Sequence, residues 1–179
     1  EDVRGEIEIY PYGIDEAAYE YLNYDHVEEL LEEQPSLLEY AARNRMPQVP
    51  LGGAAALFGG AGAYVPFGSG NGLRYITAFA QMDVTFTPDS VFEYLYRGIT
   101  SDGAFMVTAQ DFPVRVPAKA LPDEPVFLSE DVFGDYMRAF ESNLAVLPTD
   151  AFTPDLALLD ALFASLTITD SEALLDVIP

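Results

Sequence analysis

The sequence predicts a single α+β domain spanning residues 1–179, in which N-terminal and C-terminal helices pack on an antiparallel β-meander. Three observations predict this fold class. Apolar residues recur at helical spacing near both ends of the chain, strand-like alternation fills the region from Gly52 to Val116, and an Asp-Gly pair joins two apolar runs inside that region. Half of the 179 residues are hydrophobic, so the chain can bury a core of its own.

The N-terminal region is predicted to form a strand followed by helices. The segment EIEIYPYG alternates and then meets Pro11 and Gly13, which indicates a short strand ended by a turn. Three helical segments follow, with sequences IDEAAYEYL, DHVEELLEEQ and PSLLEYAARN. Asp15 and Asp25 can cap the first two, and Pro35 suits the first turn of the third.

The central region is predicted to form four consecutive antiparallel strands. They are ALFGGAGAYVPF, LRYITAFAQ, VFEYLYRGI and the run after Asp102-Gly103, which is a strong hairpin signal. The glycine-rich stretch GSGNG precedes the second of these. Its Gly-x-Gly-x-Gly spacing matches neither a dinucleotide-binding loop nor a P-loop, and a strand follows it instead of a helix. We therefore predict a turn there, with positive φ angles at Asn71 and Gly72.

The C-terminal region is predicted to return to helices. A Pro-rich connection leads to the amphipathic segments DVFGDYMRAFESNL and PDLALLDALFASL, and LTITD is predicted to form a last short strand. Ser129 or Asp131 can cap the first helix, and Thr153 with Pro154 opens the second. The order of strand, helices, meander and helices is typical of helices packed on an antiparallel sheet.

The charge balance is the strongest compositional signal. Thirty acidic residues face eight basic ones, and the formal net charge is −22 at pH 7. Nucleic acids and anionic membrane surfaces are not expected as partners, because both are bound through clustered Lys and Arg. An acidic surface with Lys119 as its single lysine is typical of a salt-adapted protein, and also of one that its charge keeps in solution. The absence of Cys excludes disulfides and thiolate metal sites, and no apolar stretch approaches the roughly 18 residues of a membrane span.

The segments GNGLRYITAFAQ and YRGITSDGAFMVTAQDFPV carry a family resemblance. They resemble a block of a family of uncharacterised bacterial secreted proteins and lipoproteins, in which a Gly-Ser-Gly-aliphatic-Arg-aromatic strand ending in Ala-Gln precedes a Gly-Leu-Thr-Ser-Asp-Gly hairpin and a Pro-Val pair. The segment LFGGAGAYVPF departs from that family, being poorer in polar and aromatic residues. The matching positions are Gly70, Gly72, Leu73, Arg74, Tyr75, Ala80, Gln81, Gly98, Ile99, Thr100, Ser101, Asp102, Gly103, Val107, Pro113 and Val114.

This resemblance covers roughly residues 7–115 and implies a location but no reaction. It implies an exported, extracytoplasmic protein, either secreted or membrane-anchored through a removed N-terminal segment. The start at Glu1 instead of Met agrees with such processing. More distantly, helices on one antiparallel sheet are similar to the PsbP-like fold, a likeness of fold alone.

Few side chains suit catalysis. His26, the only histidine, is expected to be solvated or to cap a helix, and Lys119 has no Ser-x-x-Lys partner. Glu93 is the one acid within an aromatic strand, where we expect a cross-strand pair with Arg74 or Arg97. We predict no catalytic residue, no cofactor and no metal site. TSDG and PDLALLD offer oxygen ligands for Ca²⁺, but neither has the EF-hand spacing.

The predicted binding site lies on the sheet face opposite the helices. Arg74, Glu93 and Arg97 are expected to stand together there, beside Tyr94; the alternative is that the aromatic residues form the core. The leading hypothesis is a non-enzymatic, extracytoplasmic binding or accessory domain whose partner is an unknown protein or small molecule. The alternatives are a carboxylate-based hydrolase and a structural subunit of a surface assembly.

Overall fold

A five-stranded antiparallel sheet forms the centre of the fold. The computed structural model describes residues 5–12, 24–43, 46–47, 54–82, 84–123 and 130–169. Its strands are β1 (Glu6–Pro11), β2 (Ala55–Ala56), β3 (Gly60–Tyr64), β4 (Gly70–Thr77), β5 (Phe79–Ala80), β6 (Phe92–Thr100) and β7 (Phe105–Val114). The main sheet has the order β1-β7-β6-β4-β3, and β2 pairs with β5 in a separate two-stranded sheet. The predicted meander is confirmed as β3-β4-β6-β7, and β1 adds to its far edge.

Helices cover both faces of this sheet. They are α1 (Tyr24–Glu33), α2 (Leu37–Ala41), α3 (Glu130–Ala145) and α4 (Leu156–Ala164), with 3₁₀ turns at Ala118–Ala120 and Thr149–Ala151. On one face, Leu30 of α1 and Leu37 of α2 pack on Leu73, Tyr75 and Leu95. On the other, the side chains from α3 and α4 include Phe140 and Phe163, and the sheet contributes Ile76, Phe92, Tyr94 and Tyr96.

The α+β fold class is therefore confirmed, but the prediction of a helix-free sheet face is wrong. β4 and β6 carry large apolar side chains at consecutive positions, so both of their faces need cover. The aromatic residues of the sheet belong to the core: Tyr75, Phe92, Tyr94 and Tyr96 are all fully buried.

The turn predicted for the glycine-rich stretch before the second predicted strand is confirmed, but the predicted positive φ angles at Asn71 and Gly72 are wrong. The tight turn lies at Phe67–Gly70, and Asn71 and Gly72 are already part of β4, without positive φ. A Cβ on Gly72 would lie 2.1 Å from the Tyr96 hydroxyl oxygen, and one on Gly70 would lie 2.1 Å from the Ile99 carbonyl oxygen. These glycines permit close packing between strands. The predicted Asp102-Gly103 hairpin is confirmed, with φ of 68° at Gly103.

Two other predicted segments differ from the structure or lie outside it. The helix predicted for IDEAAYEYL lies outside the described residues. The part of LTITD that is described, residues 166–169, is not a strand. Instead, its backbone forms hydrogen bonds with the turn before β4. The Leu166 carbonyl accepts from the Gly68 N–H, and the Ile168 carbonyl and N–H both bond to the Ser69 hydroxyl.

Candidate functional site

The four residues of the predicted binding site lie on two different faces of the sheet. In the register of β4 and β6, Leu73 faces Arg97, Arg74 faces Tyr96 and Thr77 faces Glu93. Because side chains alternate along a strand, Arg74 and Tyr94 point toward α3 and α4, whereas Glu93 and Arg97 point toward the opposite face. The predicted group of four is therefore not assembled.

Arg74 and Tyr94 are brought together by Asp160, which the sequence analysis considered only within PDLALLD, as a possible Ca²⁺ ligand. Asp160 of α4 accepts a hydrogen bond from Arg74 Nε at 3.2 Å and another from the Tyr94 hydroxyl at 3.0 Å. The Arg74 side chain is 6% exposed and Asp160 is 23% exposed. Burial, followed by the Asp160 carboxylate, raises the pKa of Tyr94 far above its usual range, so its hydroxyl stays a donor.

Arg97 has a structural position under the other helical layer. It is 1% exposed, and one of its terminal nitrogens donates to the Tyr96 carbonyl oxygen at 2.9 Å. Its neighbour Tyr75 donates its hydroxyl to the Pro47 carbonyl. Burial raises the pKa of Tyr75 to about 12, against the opposing effect of the Arg97 charge.

Glu93 lies at an irregularity of the sheet. β7 carries an extra residue between its contacts with Tyr94 and Tyr96, and Asp111 there has φ of 60°. Burial raises the pKa of Glu93, and the Asp111 carboxylate raises it further, whereas a hydrogen bond from the Asp111 backbone N–H lowers it. The expected ion pair with Arg74 is not formed, because Arg74 lies on the opposite face of the sheet, where it pairs with Asp160. Glu93 Oε2 is buried without a hydrogen-bond partner in the described part of the chain.

A cavity of about 290 Å³ lies at the β3 edge of the sheet, where the two helical layers approach each other. Arg74 reaches it from β4, and Ala61 and Gly62 contribute the strand edge. The remaining lining residues come from α2, the end of α3 and the start of α4 and mostly have apolar side chains, including Leu37, Leu144, Leu147, Phe152 and Leu156, whereas polar atoms make up the larger part of the accessible lining surface.

The cavity depends on the small residues that set β3 apart in the sequence. The register of β3 with β4 shifts between Gly60 and Ala63, and Ala61 has φ of 50°. At this bulge, the Ala61 carbonyl accepts a hydrogen bond from Arg74 Nη1. The sequence reasoning missed the cavity. Its one visible signal was the small residues GGAGA, which lie in the segment noted as poorer in polar and aromatic residues than the resembling family.

A buried acid stands next to this cavity. Glu141 of α3 is 6% exposed and accepts a hydrogen bond at 2.9 Å from the backbone N–H of Gly59, which lines the cavity. Burial raises the pKa of Glu141, opposed by that hydrogen bond and by the charge of Arg138. Glu141 thus links α3 to the residues just before β3 through this hydrogen bond. Burial destabilises the charged form of its carboxylate.

The acids considered for Ca²⁺ have structural contacts. Asp102 accepts from the Ala104 N–H in the hairpin, Asp155 caps α4 through the Ala157 N–H, and Asp160 accepts from Arg74 and Tyr94. Among the described residues, no three or more His, Asp or Glu side chains are grouped as metal ligands. His26 is exposed on α1. In the same part of the chain, no helix combines the length and apolar character that crossing a membrane requires.

Comparison with known proteins gives no match. Neither the family models, nor the curated proteins, nor the solved structures contain one that matches this chain.

Proposed function

We propose that this chain is a non-enzymatic binding domain whose cavity at the β3 edge holds a small ligand. The observation that carries the proposal is the position of Arg74. This nearly buried guanidinium lines the cavity, and its Nε is held by Asp160. Arg presents five N–H donors in a fixed fork, and Asp160 and the Ala61 carbonyl use only part of them.

The lining has the composition of a ligand site. Such sites combine apolar walls with a small number of placed polar groups, and their usual volumes begin near 300 Å³. Here leucines and Phe152 provide the apolar part of the wall, and Arg74 with the hydroxyl residues Ser36 and Thr149 provides polar side chains. The arginine cannot easily turn away, because Asp160 and the Ala61 carbonyl fix its side chain.

The test is a fragment screen by NMR on the ¹⁵N-labelled chain. Neutral, anionic and cationic fragments of about six to twelve non-hydrogen atoms are titrated, and we expect at least one class to shift the amide signals of Ala61, Gly62 and Ala145. The variant Ala145→Leu narrows the cavity from the exposed end of α3 and should weaken that binding about tenfold or more. Ala139→Leu, also exposed on α3 but outside the lining, is the matched control.

A screen in which no fragment class shifts the cavity amides would overturn the proposed function. So would binding that Ala145→Leu and Ala139→Leu affect equally, because the ligand would then lie elsewhere.

The proposed setting is extracytoplasmic, in a secreted or envelope-associated accessory role, and in a salty medium. The support for the location is the sequence resemblance to secreted proteins and lipoproteins, and the support for salt adaptation is the net charge of −22. The structural-subunit alternative stays a prediction. Light scattering at low and high salt tests it, since a subunit of an assembly should self-associate as its charge is screened.

A carboxylate-based hydrolase is the second candidate, and Glu93 is the observation that favours it. A half-buried carboxyl with a raised pKa beside a second acid, at a β-bulge, has the features of a general acid. Wild-type protein should then hydrolyse nitrophenyl glycosides, and Glu93→Gln should remove the activity, whereas the exposed Asp89→Asn should not. Absence of turnover by the wild type on a glycoside panel would end this candidate.

A further inference from the structure

We infer that the ligand of the cavity is a short aliphatic monocarboxylate, bound with its carboxylate on the terminal nitrogens of Arg74 and its chain among the leucines. This inference rests on the proposed function and names its ligand class. It follows from how the donors of Arg74 are used and from the lining, in which Arg74 is the one charged side chain and leucines provide apolar contacts.

The donors of Arg74 are only partly used within the described residues. Nε donates to Asp160, which is not part of the lining, and Nη1 donates to the Ala61 carbonyl at the β3 bulge. Within the described residues, Nη2 has no acceptor. The edge between Nη1 and Nη2 can pair with a carboxylate through two parallel hydrogen bonds.

A carboxylate suits this anchor better than a neutral acceptor. A carboxylate offers the guanidinium two charged acceptor oxygens and can form two parallel hydrogen bonds with it, whereas a neutral amide has one acceptor oxygen. The net charge of −22 opposes anions at long range, but at physiological salt that repulsion is screened beyond about 8 Å. Inside the cavity, the lining residues include Arg74 as a cation and no Asp or Glu.

The apolar part of the lining limits the length of the chain. Leu37, Leu144, Leu147, Phe152 and Leu156 surround a space of about 290 Å³, at the small end for ligand sites. Each methylene buried there should strengthen binding about fourfold. This gain should continue from propionate to about hexanoate and then stop, because longer chains leave the cavity.

The experiment compares hexanoate with hexanamide, which have the same chain but differ in charge. Amide signals of the ¹⁵N-labelled chain are followed at pH 7, where the acid is ionised, and at one fixed salt concentration. We expect hexanoate to bind about tenfold tighter than hexanamide or more, and affinity to rise from propionate to hexanoate. Arg74→Lys should remove most of that preference, since Lys lacks the two-pronged geometry.

The readouts separate this inference from the proposed function. Equal binding of hexanamide and hexanoate at the cavity amides would overturn the carboxylate assignment and leave a binding domain. If neither hexanoate nor hexanamide binds but another fragment class does, the carboxylate assignment is again overturned and the proposed binding domain is kept. If Arg74→Lys fails to fold, the two probes together with Ala145→Leu and Ala139→Leu still decide the question on folded proteins.

Discussion

At the scale of single residues, the buried Glu141 makes a definite prediction about pH. Burial raises the pKa of this carboxyl in the folded protein, more than the hydrogen bond from Gly59 lowers it. Since the folded pKa lies above the unfolded one, folding favours the protonated form. Stability is therefore fully present below the unfolded pKa and is lost as the pH rises through the folded pKa. Glu141→Gln keeps an acceptor for the Gly59 N–H without the charge.

We expect Glu141→Gln to be more stable than the wild type at pH 7, by roughly 0.5–2 kcal/mol, and to match it near pH 4. Urea denaturation at the two pH values measures the difference. Glu29→Gln, an exposed position on α1, controls for the loss of one negative charge. A Glu141→Gln variant less stable than the wild type at pH 7 would mean that the charged hydrogen bond to Gly59 outweighs the cost of burial.

At the scale of elements, the contact between β4 and β6 depends on Gly72. A Cβ at this position would meet both the Tyr96 hydroxyl and, at 2.9 Å, the Arg97 carbonyl oxygen, and backbone cannot give way as a flexible side chain can. We expect Gly72→Ala to lower the free energy of unfolding by about 1–3 kcal/mol, the range of overpacked cores. Denaturant midpoints at constant slope measure it.

Gly134→Ala is the matched control for Gly72→Ala. Gly134 lies inside α3, and the nearest atoms to its added Cβ belong to the flexible end of Arg138. Replacing a helical Gly with Ala should stabilise the protein by up to about 1 kcal/mol. Equal effects of the two substitutions would show that close packing of β4 on β6 is not what Gly72 provides.

The elements also show what could be predicted from sequence. Alternation in LRYIT and FEYLY correctly indicates β4 and β6, because strand periodicity is local information. The apolar stripe of α1 says which side of that helix is buried, but not which face of the sheet it covers. In α4, leucines lie on the exposed side as well, Leu162 of the predicted stripe among them. The partner of Arg74 lies 86 residues away, so no spacing in the sequence indicates Asp160 or the cavity.

At the scale of the whole molecule, net charge sets the response to salt. The accessible surface of 9858 Å² gives one net negative charge per about 450 Å², a mean spacing of about 21 Å. The Debye length is about 30 Å at 10 mM salt and about 3 Å at 1 M. Neighbouring charges therefore repel each other at the lower concentration and are screened at the higher one.

Folding should consequently strengthen with NaCl, and the urea midpoint should rise steadily from about 10 mM to 1 M. Part of any rise could come from a general effect of salt on apolar surface, so a charge variant is needed. Glu29, Glu32 and Glu33 are exposed on α1, and replacing all three with Gln removes three negative charges outside the cavity. The triple variant should be more stable than the wild type at 10 mM NaCl and gain less from added salt. A urea midpoint of the wild type that does not change with salt would contradict salt adaptation. If the midpoints of the wild type and the triple variant rose equally with salt, the gain would come from apolar surface and not from charge.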